Sequence, residues 1–219
     1  MLKSKFFRIT FFKTVFIASL FNTLFFAKSF AQDRYLEFNF GGAINSAFNN
    51  GENGKKLSDI QLGTVAGVAY GYDLPFALLP PTVNTFKIFG EIYYAGKGEK
   101  YRLKHTHEKL ETSIYYGGFR PSLRFYIPPL EIMYVSIGNY FAVAANQTGD
   151  YKYKKFDYGN LLGFGIETGR DNVKVNVSLT YEHGLMNISK KKEIDIRNRC
   201  LILTLGASFR IVDKSYKHY

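Results

Sequence analysis

From Val173 to His183 the chain reads VKVNVSLTYEH, with apolar and polar residues in strict alternation. Val173, Val175, Val177, Leu179 and Tyr181 fall on one face of an extended strand. Lys174, Asn176, Ser178, Thr180 and Glu182 fall on the other. Such a segment needs an apolar medium on one side and a polar one on the other. The same period-two pattern returns along the chain in about eight segments, all of them behind an export signal. That combination predicts an all-β fold: an eight-stranded, antiparallel, up-and-down transmembrane β-barrel.

Residues 1–31 read as a cleaved signal peptide. Lys3, Lys5, Arg8 and Lys13 form a basic start, an apolar run covers Val15 to Ala27, and Ser29 and Ala31 supply the small residues before the cut. The apolar run falls short of the roughly 20 residues a spanning helix needs, and Asn22 interrupts it. Residues 32–219 then form one barrel domain. It contains a single cysteine, Cys200, so no internal disulfide framework is available. The whole chain is 46% hydrophobic, and in the barrel domain the apolar residues are spread through alternating strands and heavy in Phe and Tyr, which favours a cell outer membrane over a soluble exported domain.

The predicted strands are Arg34 to Gly42, Ile60 to Tyr72, Thr85 to Lys97, Thr112 to Ile127, Ile132 to Ala144, Phe156 to Thr168, Val173 to His183 and Cys200 to Ile211. In the second, glycine falls on the inner face (Gly63, Gly67, Gly71), where small residues make room for long ones opposite. Pro121 cannot donate to a ladder and predicts a bulge or a strand change. The inner faces gather Glu37, Lys87, Glu91, Arg120, Arg124, Asp157, Glu167, Lys174, Glu182 and Arg210. An eight-stranded barrel is just wide enough inside for side chains, so these charges are expected to pair in a plug. A soluble lipocalin-like barrel or β-sandwich would reverse the faces, and the alternation alone leaves that reading open.

Long links follow alternate strands: Ala43 to Asp59, Gly98 to Glu111, Ala145 to Lys155 and Gly184 to Arg199. These would be the extracellular loops, and each is basic when the first is counted without Asp59. Lys100, Arg102 and Lys104 form one patch; Lys190, Lys191, Lys192, Arg197 and Arg199 form another. Both are candidates to hold lipopolysaccharide phosphates by charge-assisted contacts. The expected partners are thus outer-membrane lipid and lipopolysaccharide, with envelope or secretion proteins as further candidates and no nucleic acid. His105 and His107 share a face of an extended chain but lack a fixed third ligand, so no metal site is assigned. No residues form a catalytic constellation and no cofactor is implied; the expectation is a non-enzymatic barrel acting in envelope integrity or partner binding through its loops.

Three segments carry a family resemblance. FDYGNLLGFGIE (Phe156 to Glu167), YEHGLMNIS (Tyr181 to Ser189) and NRCLILTLGASFRI (Asn198 to Ile211) resemble strands and a corner of the PorT-like outer-membrane β-barrel proteins of Bacteroidota. In the corner, His183 replaces the family's usual tyrosine. Thr204, Gly206, Phe209 and Ile211 also resemble the assembly signal read by the barrel-insertion machinery, although eight residues follow here. The resemblance implies the barrel, and as an alternative role a place in the type IX protein secretion apparatus. A lipid A-modifying barrel enzyme is a third reading.

Overall fold

A computed structural model describes residues 33–50, 58–74, 86–102, 109–127, 132–149, 153–170, 172–190 and 195–211. The strands are β1 (Arg34–Asn50), β2 (Ser58–Asp59), β3 (Gln61–Leu74), β4 (Phe86–Arg102), β5 (Lys109–Tyr126), β6 (Met133–Gly149), β7 (Phe156–Arg170), β8 (Val173–Gly184) and β9 (Asp195–Ile211). The two-residue β2 pairs with β4 ahead of β3, so eight long strands make the wall. Each is antiparallel to its neighbours in the order β4-β3-β1-β9-β8-β7-β6-β5, and β4 pairs with β5 to close the ring. Closure leaves no free edge, the condition for β-structure in lipid. Residues 1–31, including the expected signal peptide, lie outside the described residues.

The exposed face is apolar throughout the middle of the wall. Phe40, Leu62, Ile92, Leu162, Val177, Leu203 and Leu205 point outward. Aromatic pairs mark both borders of this band. Tyr70–Tyr72, Phe86–Phe125 and Phe38–Phe209 lie toward the rim that carries the described ends of β1 and β9. Tyr94–Tyr115, Phe156–Tyr158 and Tyr181–His183 lie toward the other rim. An apolar belt between two aromatic girdles is the outside of a membrane barrel, and it removes the soluble alternative, whose outer face would be polar.

Several strands are longer than the alternation predicts. β1 runs on to Asn50, β4 to Arg102 and β6 to Gly149, while β5 begins at Lys109 and β9 at Asp195. The extra residues, such as ANQTG at 145–149 and DIRNR at 195–199, lose the apolar outer face, and in the second Ile196 is instead buried inside. Above the membrane a hairpin has water outside, so the hydropathic signal vanishes while the hydrogen-bonded ladder continues. Arg197 and Arg199 are therefore strand residues paired with Phe48 and Ser46, and are not in a loop. The long links shrink accordingly, for example to residues 103–108 and 185–194.

The expectation at Pro121 is also corrected. Phe119 faces Phe141 and Ser122 faces Gly138, so register is kept across the proline and only the intervening pairs are lost. The register shift lies between Tyr115 and Tyr116, where Asn146 and Ala144 are their partners and Ala145 is the extra residue. On the other side Pro121 stays opposite Gly90.

Inner glycines give space to rings. A Cβ on Gly71 would come 2.5 Å from the Phe89 ring, and one on Gly165 would collide with Tyr134. Gly117 points outward with nothing within 4 Å of where its Cβ would be. Gly165→Val should therefore lower the unfolding free energy by about 1–3 kcal/mol through overpacking. Gly117→Val should be neutral or stabilising, since glycine weakens strands. Urea unfolding of the lipid-reconstituted barrel reads both; equal effects at the two positions would contradict the inside-outside assignment.

The lumen as candidate functional site

Inside the barrel most cations face acids on other strands, although Glu91 shares β4 with Lys87 and Lys97. Lys87 and Lys97 project from β4, Arg120 and Arg124 from β5; Glu37 comes from β1, Glu167 from β7 and Glu182 from β8. Each cation reaches across the lumen to a carboxylate on a distant strand. Arg124 makes a two-pronged contact with Glu37, both Nη–Oε distances being 2.7 Å. Lys87 Nζ lies 3.2 Å from Glu167 Oε1, and Lys97 Nζ 2.6 Å from Glu182 Oε2. Arg120 bridges two acids, with Nε 2.8 Å from Glu182 Oε1 and Nη1 3.3 Å from Glu91 Oε2. A bidentate guanidinium fixes both distance and plane, so Arg124 locks β5 to β1 more tightly than a lysine could.

Aromatic rings complete the packing around these cations. Arg120 stacks 3.6 Å from the Tyr93 ring centre and Arg124 3.9 Å from that of Phe89. Lys87 sits 4.1 Å from the Tyr35 ring and Lys97 4.4 Å from Tyr140. A ring face attracts a cation where water is excluded and supports the ion pairs. Hydroxyls and amides satisfy the acids further. Tyr126 donates to Glu167, Asn39 donates to both Glu37 and Glu91, and Tyr140 and Asn198 both donate to Asp157.

All ten inner-face charges named from the sequence lie on the inner side of the wall. Lys174 shares Glu167 with Lys87, at 3.0 Å, and Arg210 sits at the rim, 2.6 Å from Asp33 and 40% exposed. Lys97, inward by the phase it shares with Lys87 and Glu91, joins the same system. Asp33 and Asp73 also belong to it but were not among the residues read as inward. Asp73 accepts a hydrogen bond from the Tyr35 hydroxyl.

Around the Lys97–Glu182 pair the lumen turns partly apolar, Ile114 standing opposite Lys97 and Cys200 opposite Glu182. Ala43, Val65, Ala95, Ile114, Ala142, Cys200 and Ile202 line it with Tyr93, Tyr116 and Tyr140. Two connecting segments close over this chamber. Tyr153 and Ile188 are buried in it, and the segments are tied by Lys154 N–H donating to Ile188 O and Lys154 Nζ to Asn187 O. Ser189 is buried in this stopper, whereas His183 faces outward beside Tyr181, so the two belong to different surroundings. A polar cavity of about 40 Å³ lies between Glu91, Arg120, Ser136 and Thr204. It has room for water on the scale of single molecules and none for an aqueous channel.

The other residues named from the sequence are placed as follows. Thr204 is inside, 2.6 Å from the Ser178 hydroxyl, and Gly206 lies against Asn39 and Asn176; Phe209 and Ile211 face outward. Lys190 is exposed on the stopper. Lys104, Lys191, Lys192, His105 and His107 lie outside the described residues, as do the side chains of Lys100 and Arg102. Among the described residues no three His, Cys, Asp or Glu side chains gather as metal ligands.

No family model matches the chain, and no curated protein matches it in sequence. Solved structures do match. The outer membrane protein OprG of Pseudomonas aeruginosa is 7% identical at a TM-score of 0.52, covering 84% of this chain and 98% of its own. Neisserial surface protein A is 14% identical at 0.44, covering 80% and 96%. AlkL, solved in lipid bilayers, is 15% identical at 0.48, covering 86% and 94%. The likeness to OprG establishes the fold over nearly the whole described barrel. The chain is a small eight-stranded outer-membrane β-barrel with a buried, salt-bridged lumen.

Proposed function

We propose that this protein is a non-enzymatic barrel that serves envelope integrity, or binds an outer partner, through its basic extracellular loops. The observation that supports this most is the filled lumen: cations and carboxylates tie opposite walls together below an apolar stopper. A lumen filled by side chains among the described residues favours action through the surface, and the barrel's cationic loops suit the phosphates of lipopolysaccharide. Barrel-insertion machinery would read the closing strand during assembly, after removal of the signal peptide.

The purified barrel should give no steady conductance in planar bilayers. Deleting the gene should raise sensitivity to detergents while leaving secreted proteins unchanged, and a version carrying Lys190→Gln, Lys191→Gln and Lys192→Gln should fail to restore resistance. Full restoration by that version would overturn the loop role. A second reading, a component of the type IX secretion apparatus, rests on the resemblance of residues 156–167, 181–189 and 198–211 to PorT-like barrels. Secreted proteins held in the periplasm of the deletion strain would favour it.

A further inference from the structure

One seam of the wall is out of step. The ladder between β3 and β4 runs from Leu74 opposite Phe86 to Val65 opposite Ala95. Continued, it would set Asp59 against Tyr101, but Asp59 pairs with Lys100. Between these points residues 60–64 and 96–99 do not pair with one another. Both strands keep their outer partners there: Gln61 stays opposite Asn45 on β1, and Gly96 opposite Tyr115 on β5. The two backbones touch at Gly63 and Gly96, where a Cβ on Gly63 would strike the Gly96 carbonyl. Beside that contact lies a notch of about 250 Å³, lined by Gln61, Leu62, Thr64, Lys97, Ser113 and Tyr115.

Side-chain amides stand in for the missing ladder. Asn45 Nδ2 lies 3.4 Å from the Gln61 carbonyl and 3.3 Å from that of Gly96, and Gln61 Nε2 donates to Ser113 Oγ at 3.0 Å. Their oxygens are left over. Gln61 is 8% exposed, lines the notch, and among the described residues its Oε1 has no hydrogen-bond donor; Asn45 Oδ1 is in the same condition. A buried acceptor without a donor costs about 1–3 kcal/mol, so a site of this kind favours a ligand that supplies N–H or O–H. Lys97, on the lumen side, is already committed to Glu182.

The height of the notch identifies its surroundings. Tyr115, whose ring pairs with Tyr94 in the outer aromatic girdle, lines the notch beside Leu62. Leu62 is 77% exposed, and Ile60, just above it, 66%. The notch therefore opens to lipid where acyl chains join their headgroups. We infer that it binds a membrane amphiphile whose acyl chain begins at an amide or hydroxyl group, that group donating to Gln61 Oε1 while the chain lies along Leu62 and Tyr115. An ester-linked chain without a donor at that depth leaves the acceptor unsatisfied.

The test uses the full barrel in phosphatidylcholine nanodiscs with a photoreactive N-acyl amide. Cross-links should concentrate on residues 60–64 and 113–115. N-methyl dodecanamide should compete about ten-fold better than methyl dodecanoate, the scale of one hydrogen bond to a buried acceptor. Gln61→Leu should bring the two competitors to parity. Thr64→Trp, on the outward face, should block labelling without touching the amide plug. Retention of the heat-dependent gel shift shows that each variant has folded. Labelling spread evenly around the belt, or equal competition by the ester in the unaltered protein, would overturn the proposal; neither result depends on the loops.

Discussion

Glu182→Met is expected to lower the stability of the folded barrel by about 3–5 kcal/mol, the usual cost of removing one partner from a buried charge pair. Glu182 is 1% exposed and holds two cations, Lys97 at 2.6 Å and Arg120 at 2.8 Å. Arg120 keeps Glu91 when Glu182 is lost, so the cost falls mainly on Lys97, which is 2% exposed and loses its direct ion pair, keeping only ring faces and the field of the buried Asp157 carboxylate. The double variant Lys97→Met, Glu182→Met should recover most of the loss, because replacing a whole buried pair with apolar groups is often neutral. Arg210→Met serves as the contrast. Its pair with Asp33 is partly in water and should be worth less than about 1 kcal/mol. Unfolding midpoints in urea, read by gel mobility of the unboiled protein, rank the three. A loss of under 1 kcal/mol for Glu182→Met would mean that solvent reaches the centre of the lumen, and the filled-lumen argument for surface action would fall with it.

The membrane-spanning part of this fold is legible in the sequence because lipid imposes a strict rule on every second residue. Val173 to Tyr181 obeys it without exception, and the register of β8 with β9 follows the same phase. Where the medium outside changes to water, as at Ala145 to Gly149, the rule lapses and the strand continues unannounced. Pro121 shows the opposite failure: a residue that breaks ladders elsewhere is accommodated by losing pairs on one side only. Within the lumen, the identity of the charged residues is readable from phase, but their pairing is not. Lys97 and Glu182 meet across the full width of the ring, and no local spacing encodes that. The apolar chamber is hidden for another reason. Ala43, Ala95 and Ile202 break the polar-inside expectation because Tyr153 and Ile188 return from the connections to cover them. The notch at β3 and β4 depends on a one-residue slip between two strands, which only their joint register exposes.

Leu205→Arg should separate a lipid-facing belt from a surface in water more sharply than any loop variant. Leu205 is 60% exposed and sits near mid-height, opposite Phe40 on one side and Val177 on the other. At the centre of a bilayer an outward arginine costs about 2–4 kcal/mol, whereas an exposed surface substitution in water rarely exceeds 0.5 kcal/mol. Position decides the size of the effect. Leu62→Arg, at the upper border of the belt, should cost about 1 kcal/mol or less, since its side chain can reach the headgroups. The difference between the two variants, measured by urea unfolding in vesicles, reports depth directly. It should vanish when the same proteins are unfolded from a polar amphipol, whose loose apolar layer gives the charge a short path to water. Equal costs at Leu205 and Leu62 in vesicles would mean that the exposed apolar face does not lie across the bilayer. The assignment of Gln61 and its notch to the lipid interface would then fail as well.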